Sequence, residues 1–74
     1  QTVCRLCLFH KNQANMITNF TRIMGAESVN IAEMSNKSRG DVAYTLIDTD
    51  TRVSDTVIRQ LSEVDWVYRV RVIS

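Results

Sequence analysis

The sequence predicts a small α+β domain in which a four-stranded antiparallel sheet has two helices on one face. Its 74 residues suffice for one domain with one core, and 45% of them are apolar. Two segments have the 3.6-residue periodicity of amphipathic helices, and four short segments around them are apolar or alternating, as strands are. The resulting order is βαββαβ. With right-handed crossovers, this order gives the ferredoxin-like arrangement.

The first half of the chain predicts a strand, a helix and a second strand. Residues 3–9 (VCRLCLF) form a short apolar run that is typical of a strand. Residues 14–26 predict a helix, and residues 29–35 predict the second strand, with Ser28 and Asn30 flanking the turn between them. The apolar stripe of the helix consists of Met16, Ile17, Phe20, Ile23 and Met24.

A hairpin is expected to follow the second strand. The segment NKSRGD at residues 36–41 is polar and contains Gly40, which can adopt a positive φ. Residues 42–48 then predict the third strand. Because the turn is short, we expect the second and third strands to pair directly.

The second helix has a clear start signal. Ser54 can accept a hydrogen bond as N-cap, and Val53 and Ile58 are spaced as a hydrophobic staple around it. Residues 66–73 then alternate valine and tyrosine with arginine, which predicts a half-exposed fourth strand.

Composition disfavours several classes of function. Nine basic and eight acidic residues are interleaved, and the net charge of +1 predicts no basic stripe for nucleic acid. No apolar run approaches the length of a membrane span, so no membrane partner is expected. The sequence pairs no nucleophile with a base, which predicts no catalysis by this chain alone. Because it begins at Gln1, we expect residues 1–74 to be a single domain of a longer enzyme.

Cys4, Cys7 and His10 have the spacing C-x2-C-x2-H, which invites a zinc or redox interpretation. On a strand, however, Cys4 and Cys7 point to opposite faces, and their Cα atoms lie about 10 Å apart, beyond the roughly 7 Å that a disulfide allows. The Arg-Leu pair between them offers no turn, and no fourth ligand is nearby. We therefore expect two reduced, structural thiols and no bound metal.

The polar segment HKNQANM predicts a turn between the first strand and the first helix. Backbone N–H groups at a helix N-terminus favour a carboxylate. His10 and Asn12 lie in this turn, and Asn30 lies at the start of the second strand. An asparagine both donates and accepts, so it can hold the ammonium and carboxylate groups of one small ligand. A structural interpretation stays open, in which Asn12 caps the helix and His10 is an ordinary exposed histidine.

The run from FHKNQANM to LIDTD and the ending VYRVRVIS resemble the C-terminal regulatory ACT domain of D-3-phosphoglycerate dehydrogenases over nearly the whole chain. The most specific segments are HKN, VNIAEM, NKSRGDVAYTLID and VRVI. The resemblance implies a regulatory domain that binds L-serine, or another small amino acid, where two such domains meet. It places His10, Asn12 and Asn15 around the ligand in one chain and Asn30 in its partner. It also implies a cytoplasmic parent enzyme that uses NAD, whereas this domain needs no cofactor.

The sequence departs from that family beside the proposed pocket. Ala14 and Asn15 stand where Pro-Gly is common before the first helix, and Ser28 stands where glycine is common after it. Asparagine tolerates a left-handed φ best among the non-glycine residues, so we expect Asn15 to preserve the turn. We expect these added side chains to change the affinity for serine rather than the fold.

Other functions remain as alternatives. An ACT domain of another amino-acid enzyme, such as L-serine dehydratase, or an ACT domain used only for assembly, would have the same fold. A ferredoxin-like RNA-binding module would stack bases on aromatic residues of its central strands. This chain offers only Phe9 and Tyr44 there and lacks the K/R-G-F/Y signature. With a net charge near zero, RNA binding is the weakest alternative.

The predicted fold places the second strand at an edge of the sheet. Its segment VNIAEMS has Glu33 as its one charged residue, which is weak protection against pairing with another strand. A domain of this size also buries only about 60% of the surface of its unfolded chain. We therefore expect a two-fold homodimer in which these edge strands pair into an eight-stranded sheet.

Overall fold

The computed structural model describes residues 3–73 and contains the six predicted elements in the predicted order. The elements are β1 (Cys4–Lys11), α1 (Met16–Ala26), β2 (Ile31–Arg39), β3 (Val42–Thr49), α2 (Asp55–Ser62) and β4 (Val67–Val72). The sheet has the strand order β2-β3-β1-β4, and all neighbouring strands are antiparallel. The predicted ferredoxin-like α+β fold is therefore confirmed. In this part of the chain, neither helix is long and apolar enough to cross a membrane.

The core lies between the two helices and one face of the sheet. Alternate residues of β1 point into this core, and the intervening residues point to the opposite face, which neither helix covers and which we call the open face. The predicted stripe of α1 contributes three of the buried side chains, and α2 contributes two. The core residues are Cys4, Leu6, Leu8, Met16, Phe20, Met24, Ile47, Val57 and Leu61.

Local capping sets where the two helices begin. Ser54 Oγ accepts a hydrogen bond from the backbone N–H of Val57 at 3.3 Å, which confirms Ser54 as the N-cap of α2. Helix α1 begins at Met16, two residues later than predicted, because Asn15 adopts φ 73° and ψ 2° just before it. A residue in the left-handed region does not continue a right-handed helix. The expectation that Asn15 preserves this turn is confirmed.

Helix α1 ends in a Schellman motif. Ser28 is its left-handed residue, with φ 60°. The N–H of Ser28 donates to the carbonyl of Gly25 at 3.0 Å, and the N–H of Val29 donates to the carbonyl of Met24 at 2.9 Å. These two bonds satisfy carbonyl groups that the helix end leaves without helical partners. Ser28 thus keeps the backbone geometry that glycine would provide, with a Cβ in an unfavourable φ.

The β2–β3 hairpin is tighter than the sequence predicts. The predicted turn covers residues 36–41, but residues 36–39 continue β2, and only Gly40 and Asp41 form the loop. Gly40 has φ 62°, which the first position of a type II′ hairpin loop requires. Because β2 is an edge strand, its polar side chains remain in water, so polarity alone did not mark the end of the strand.

Strands β2 and β4 are the two edges of the sheet, and the predicted edge position of the second strand is confirmed. Every residue of β2 after Ile31 is exposed. Strand β4 is shorter than the predicted 66–73, because Trp66 adopts φ 74° just before it and the pairing with β1 shifts between Phe9 and His10. The observed β2 includes Lys37 and Arg39 as well as Glu33, so this edge has three charged residues rather than the one that the sequence predicts. A long exposed edge still presents unpaired backbone groups with which another strand can pair.

Candidate functional site

The structure places His10 inside strand β1, whereas the sequence predicts it in the following turn. The strand continues to Lys11, and the alternation that buries Leu6 and Leu8 also turns His10 inward. His10 is only 2% exposed, and its ring meets the Phe20 ring edge-on with centroids 5.1 Å apart. Both the turn assignment and the alternative of an exposed histidine are therefore wrong.

His10 belongs to a chain of hydrogen bonds. Its Nδ1 lies 2.9 Å from the carbonyl oxygen of Lys11, and its Nε2 lies 2.8 Å from Thr45 Oγ1. A carbonyl only accepts, so in the neutral ring Nδ1 holds the proton and Nε2 accepts from the Thr45 hydroxyl. Asn36 Nδ2 donates to the same threonine oxygen at 2.8 Å. The network therefore connects the exposed edge strand β2 to the core.

Sequence reasoning missed Thr45 and Asn36. Thr45 is fully buried on β3, in the inward-facing set that also contains Ala43 and Ile47. A hydroxyl at an inward position of an alternating strand indicates a buried hydrogen bond, because a buried hydroxyl needs a partner. Asn36 offered no such signal, because the polar segment around it is typical of a turn.

Asn12 and Asn15 lie in the β1–α1 turn, as predicted, and both are exposed. Asn12 holds this turn against the β2–β3 hairpin. Its Nδ2 donates to the carbonyl of Gly40 at 3.0 Å, and its backbone N–H donates to the carbonyl of Asp41 at 2.7 Å. The N-cap position of α1 belongs to Asn15, whose side chain makes no capping hydrogen bond. Asn12 therefore joins two loops and does not cap the helix.

Asn30 lies at the opposite end of the sheet from Asn12. Strands β1 and β2 both pair antiparallel with β3, so they run in the same direction, and the start of β2 is far from the end of β1. Ten residues separate Asn30 from Gly40, which corresponds to about 33 Å of strand. Asn30 Nδ2 donates to Asp50 Oδ2 at 2.7 Å. Within one chain, Asn30 is therefore not brought together with the other predicted site residues.

The two cysteines lie on opposite faces of β1, as predicted. Cys4 belongs to the core, whereas Cys7 lies opposite Leu46 and Arg71 on the open face. Both thiols are free and buried, and burial raises the pKa of the Cys7 thiol, which disfavours the reactive thiolate. Within residues 3–73, no three His, Cys, Asp or Glu side chains are grouped as a metal site requires.

An ion pair joins β1 and β3 on the open face. Arg5 Nε lies 2.7 Å from Asp48 Oδ1, and Arg5 Nη2 lies 3.0 Å from Asp48 Oδ2. The hydrogen bond and the positive charge of Arg5 lower the pKa of the Asp48 carboxyl. The two residues are direct cross-strand partners, so the pair contributes to the pairing of the strands.

No protein-family model matches the chain, and no curated protein matches it in sequence. Its structure superimposes on the ACT domain of GTP pyrophosphokinase from Chlorobium tepidum with a TM-score of 0.79, at 14% identity over 95% of both chains. The chain has the ACT-domain fold. It is also similar to the C-terminal domain of MgtC from Mycobacterium tuberculosis, with a TM-score of 0.70 and 12% identity over 93% of this chain and 82% of that one.

A third similar structure is GqqA, a quorum-quenching acylase, with a TM-score of 0.70 and 14% identity over 93% of this chain and 38% of that one. Identities this low establish a shared fold and do not identify a ligand. The ACT-domain fold agrees with the fold that the sequence resemblance implies. The link to phosphoglycerate dehydrogenase, to serine and to NAD stays a prediction.

Proposed function

We propose that this domain is a non-catalytic regulatory module that binds a small amino acid between two ACT-type domains. The first candidate for this ligand is L-serine. One observation leads to the proposal. Asn12 and Asn15 lie at one end of the sheet and Asn30 lies at the other, while the strand between these ends, β2, is an exposed edge. A site that uses all three residues therefore needs a second copy of the chain.

Antiparallel pairing of two β2 edges supplies that second copy in the required orientation. A two-fold axis at Ser35, the middle residue of β2, sets Asn30 opposite the partner's Gly40. Within each chain Asn12 already donates to Gly40. The pairing therefore brings Asn30 of the partner subunit beside Asn12, and it does so twice. The proposed dimer has two equivalent sites and one continuous eight-stranded sheet.

The groups at such a site suit an amino acid. The amides of Asn12 and the partner's Asn30 both donate and accept, and the α1 N-terminus after Asn15 presents backbone N–H groups that favour a carboxylate. His10 differs, because both of its ring nitrogens are already hydrogen-bonded. Its proposed contact with a ligand requires one of these bonds to be exchanged. The hydroxyl of serine has the chemistry to replace the Thr45 hydroxyl at Nε2.

The proposal extends to the parent protein. Residues 1–74 are one domain of a longer cytoplasmic enzyme, an NAD-dependent D-3-phosphoglycerate dehydrogenase, and NAD binds outside this domain. The support is the resemblance of the segments HKN, VNIAEM and VRVI. The second candidate is an ACT domain used only for assembly, or one from another amino-acid enzyme such as L-serine dehydratase. The side chains of Asn15 and Ser28, where the family commonly has glycine, favour this second candidate.

Calorimetric titration of the 74-residue chain with L-serine, together with sedimentation, tests the proposal. If serine bridges two chains, binding and dimerisation are linked, so serine should raise the Tm and tighten the dimer. Asn12→Ala and Asn30→Ala each remove a hydrogen bond to a charged group of the ligand. Each change should cost about 1.5–3 kcal/mol, which is roughly a tenfold to hundredfold rise in Kd.

Two controls distinguish binding at the proposed site from a nonspecific effect of a substitution or of the added amino acid. Gln60→Ala removes an exposed amide on α2, a helix that contributes no residue to the proposed site, and should leave binding unchanged. D-serine has the opposite chirality at Cα, so its groups cannot all occupy the same positions, and it should bind much more weakly. A dimer that gives neither heat nor thermal shift with millimolar L-serine would leave assembly as the function. A strict monomer at about 100 μM, well above the micromolar Kd of a moderate interface, would refute the β2 interface.

A further inference from the structure

Two aromatic rings lie side by side on the open face of the sheet. Phe9 on β1 is the direct cross-strand partner of Tyr44 on β3, and the ring centroids are 6.0 Å apart with a tilt of 42°. Tyr44 is 36% exposed, and Phe9 is half-buried. Helices α1 and α2 both cover the other face, so these rings face away from the core. The pair offers an apolar, aromatic surface to a ligand.

Basic side chains surround this aromatic pair. Strand pairing places Arg69 opposite Phe9 and Lys37 opposite Tyr44, and both cations are exposed. Of the nine basic residues in the chain, the strand register assigns six to the open face, against two of the eight acidic residues. The six basic residues are Arg5, Lys11, Lys37, Arg39, Arg69 and Arg71, and the two acidic residues are Glu33 and Asp48.

The net charge of the open face is therefore about +4, although that of the whole chain is +1. The remaining surface is correspondingly negative. Asp48 is paired with Arg5, and the Lys11 Nζ lies over the Trp66 ring at 4.4 Å. The cations next to the aromatic pair are the four others on the face, Lys37, Arg39, Arg69 and Arg71.

A shallow concavity continues from the aromatic pair toward the β2–β3 hairpin. Phe9, Tyr44 and Val42 form its apolar part, and Lys37 and Arg39 form its charged side. A planar ring attached to an anion fits this combination, with the ring on the aromatic side chains and the anion on the cations. Acidic side chains of a protein partner would satisfy the charge but have no aromatic ring to stack on Phe9 and Tyr44.

We propose that the open face binds single-stranded nucleic acid, with bases stacked on Phe9 and Tyr44 and phosphates against the basic side chains around them. Proteins that bind single strands combine stacking on aromatic residues with a positively charged surface that follows the backbone. The small net charge of the whole chain hides this property, because folding separates the two signs onto different faces. Lys37 and Arg39 belong to β2, whereas Phe9 and Tyr44 lie on β1 and β3. None of these four residues is among those proposed to contact an amino acid, so nucleic-acid binding and amino-acid binding can be tested separately.

Fluorescence anisotropy of the 74-residue chain with a labelled ten-nucleotide oligouridylate tests the proposal. We expect saturable binding that weakens from 50 to 200 mM salt. Each phosphate contact contributes about −0.7 to the slope of log K, where K is the association constant, against log salt concentration. With up to four such contacts, we expect a total slope of about −2 to −3. Unlabelled uridine monophosphate and a poly-glutamate of matched charge serve as competitors. Both should compete at least tenfold more weakly than the unlabelled oligonucleotide.

Variants distinguish stacking from general charge attraction. Tyr44→Leu keeps apolar contact but removes the stacking plane, and we expect about a fivefold to hundredfold loss of affinity, from the known contribution of base stacking. Arg69→Glu should weaken binding and flatten the salt slope. Arg52→Glu makes the same change of charge at an exposed position on the helix side, and at 150 mM salt it should change affinity less than twofold. Circular dichroism melting establishes that each variant folds.

Several results would overturn the proposal. Absence of binding at 50 mM salt would do so directly. Equal competition by poly-glutamate would indicate an acidic protein surface as partner, and equal competition by uridine monophosphate would indicate a pocket for a free nucleotide. An affinity that is unchanged by Tyr44→Leu, or reduced as much by Arg52→Glu as by Arg69→Glu, would show charge attraction without a site.

Discussion

Replacing Ser28 with glycine should stabilise the domain. Ser28 is the residue of the Schellman motif that must be left-handed, and its φ of 60° is unfavourable for any residue with a Cβ. Its side chain is exposed, so removing it takes no packing from the core. The backbone bonds from Ser28 to Gly25 and from Val29 to Met24 remain available to glycine. The change therefore acts almost entirely on backbone strain.

The size of the effect follows from two opposing terms. A left-handed residue with a side chain costs about 1–2 kcal/mol, and glycine does not pay this cost. Glycine also makes the unfolded chain more flexible, which costs about 0.5–1 kcal/mol on folding. The net gain at Ser28 is then about 0.5–1 kcal/mol. For a domain of this size, 1 kcal/mol corresponds to about 4–8 °C, so we expect the Tm to rise by about 2–8 °C.

Urea unfolding followed by circular dichroism measures this difference. The matched control is Ser28→Ala, which removes the hydroxyl but keeps the Cβ at the same φ, and it should give no stabilisation. The strain argument is refuted if the alanine variant gains as much stability as the glycine variant, or if glycine leaves the free energy of unfolding unchanged or lower.

Two further predictions concern the polar groups of the sheet. Thr45→Val removes the hydroxyl that His10 Nε2 and Asn36 Nδ2 share. We expect a loss of about 1–3 kcal/mol in urea unfolding and a smaller loss for Thr45→Ser, since serine keeps the hydroxyl; equal losses would contradict the role of the network. Asp48→Asn should change how the free energy of unfolding depends on pH in the acidic range. Because Arg5 lowers the pKa of folded Asp48, the pair stabilises the fold fully above the ordinary carboxyl pKa of about 3.9, and this contribution is lost as pH falls through the lower folded-state pKa. Unfolding free energies between pH 6 and pH 2 should therefore fall less steeply in the variant than in the original chain, and parallel curves would refute the argument.

Local signals predicted most of the fold. The stripe from Met16 to Met24 has the period of a helix, and these residues line the core because a helix has one apolar face. Ser54 predicted the start of α2, since an N-cap needs only residues nearby in the chain. The left-handed turn at Asn15 is local in the same way. Patterns of this kind depend on the backbone conformation of a few consecutive residues, so they can be recognised from the sequence alone.

The candidate site could be predicted only in part, because its residues depend on contacts distant in sequence. Asn12 and Asn15 are in the predicted turn, but His10 continues β1 since β3 and β4 still pair with it there. Its partner Thr45 lies 35 residues away. The distance of Asn30 from Asn12 likewise follows from strand order, which is a property of the whole sheet.

The sequence by itself determined the elements, their order, the fold class and the opposite orientation of the two cysteines. The tertiary structure alone decided which strand ends meet, which polar groups are buried together and how charge is distributed. Interleaved charges sum to nearly zero along the chain, yet β-strand pairing collects six basic residues on the open face. The physical reason is that alternation sorts side chains onto two faces within each strand, and only the register between strands determines which of these residues become neighbours.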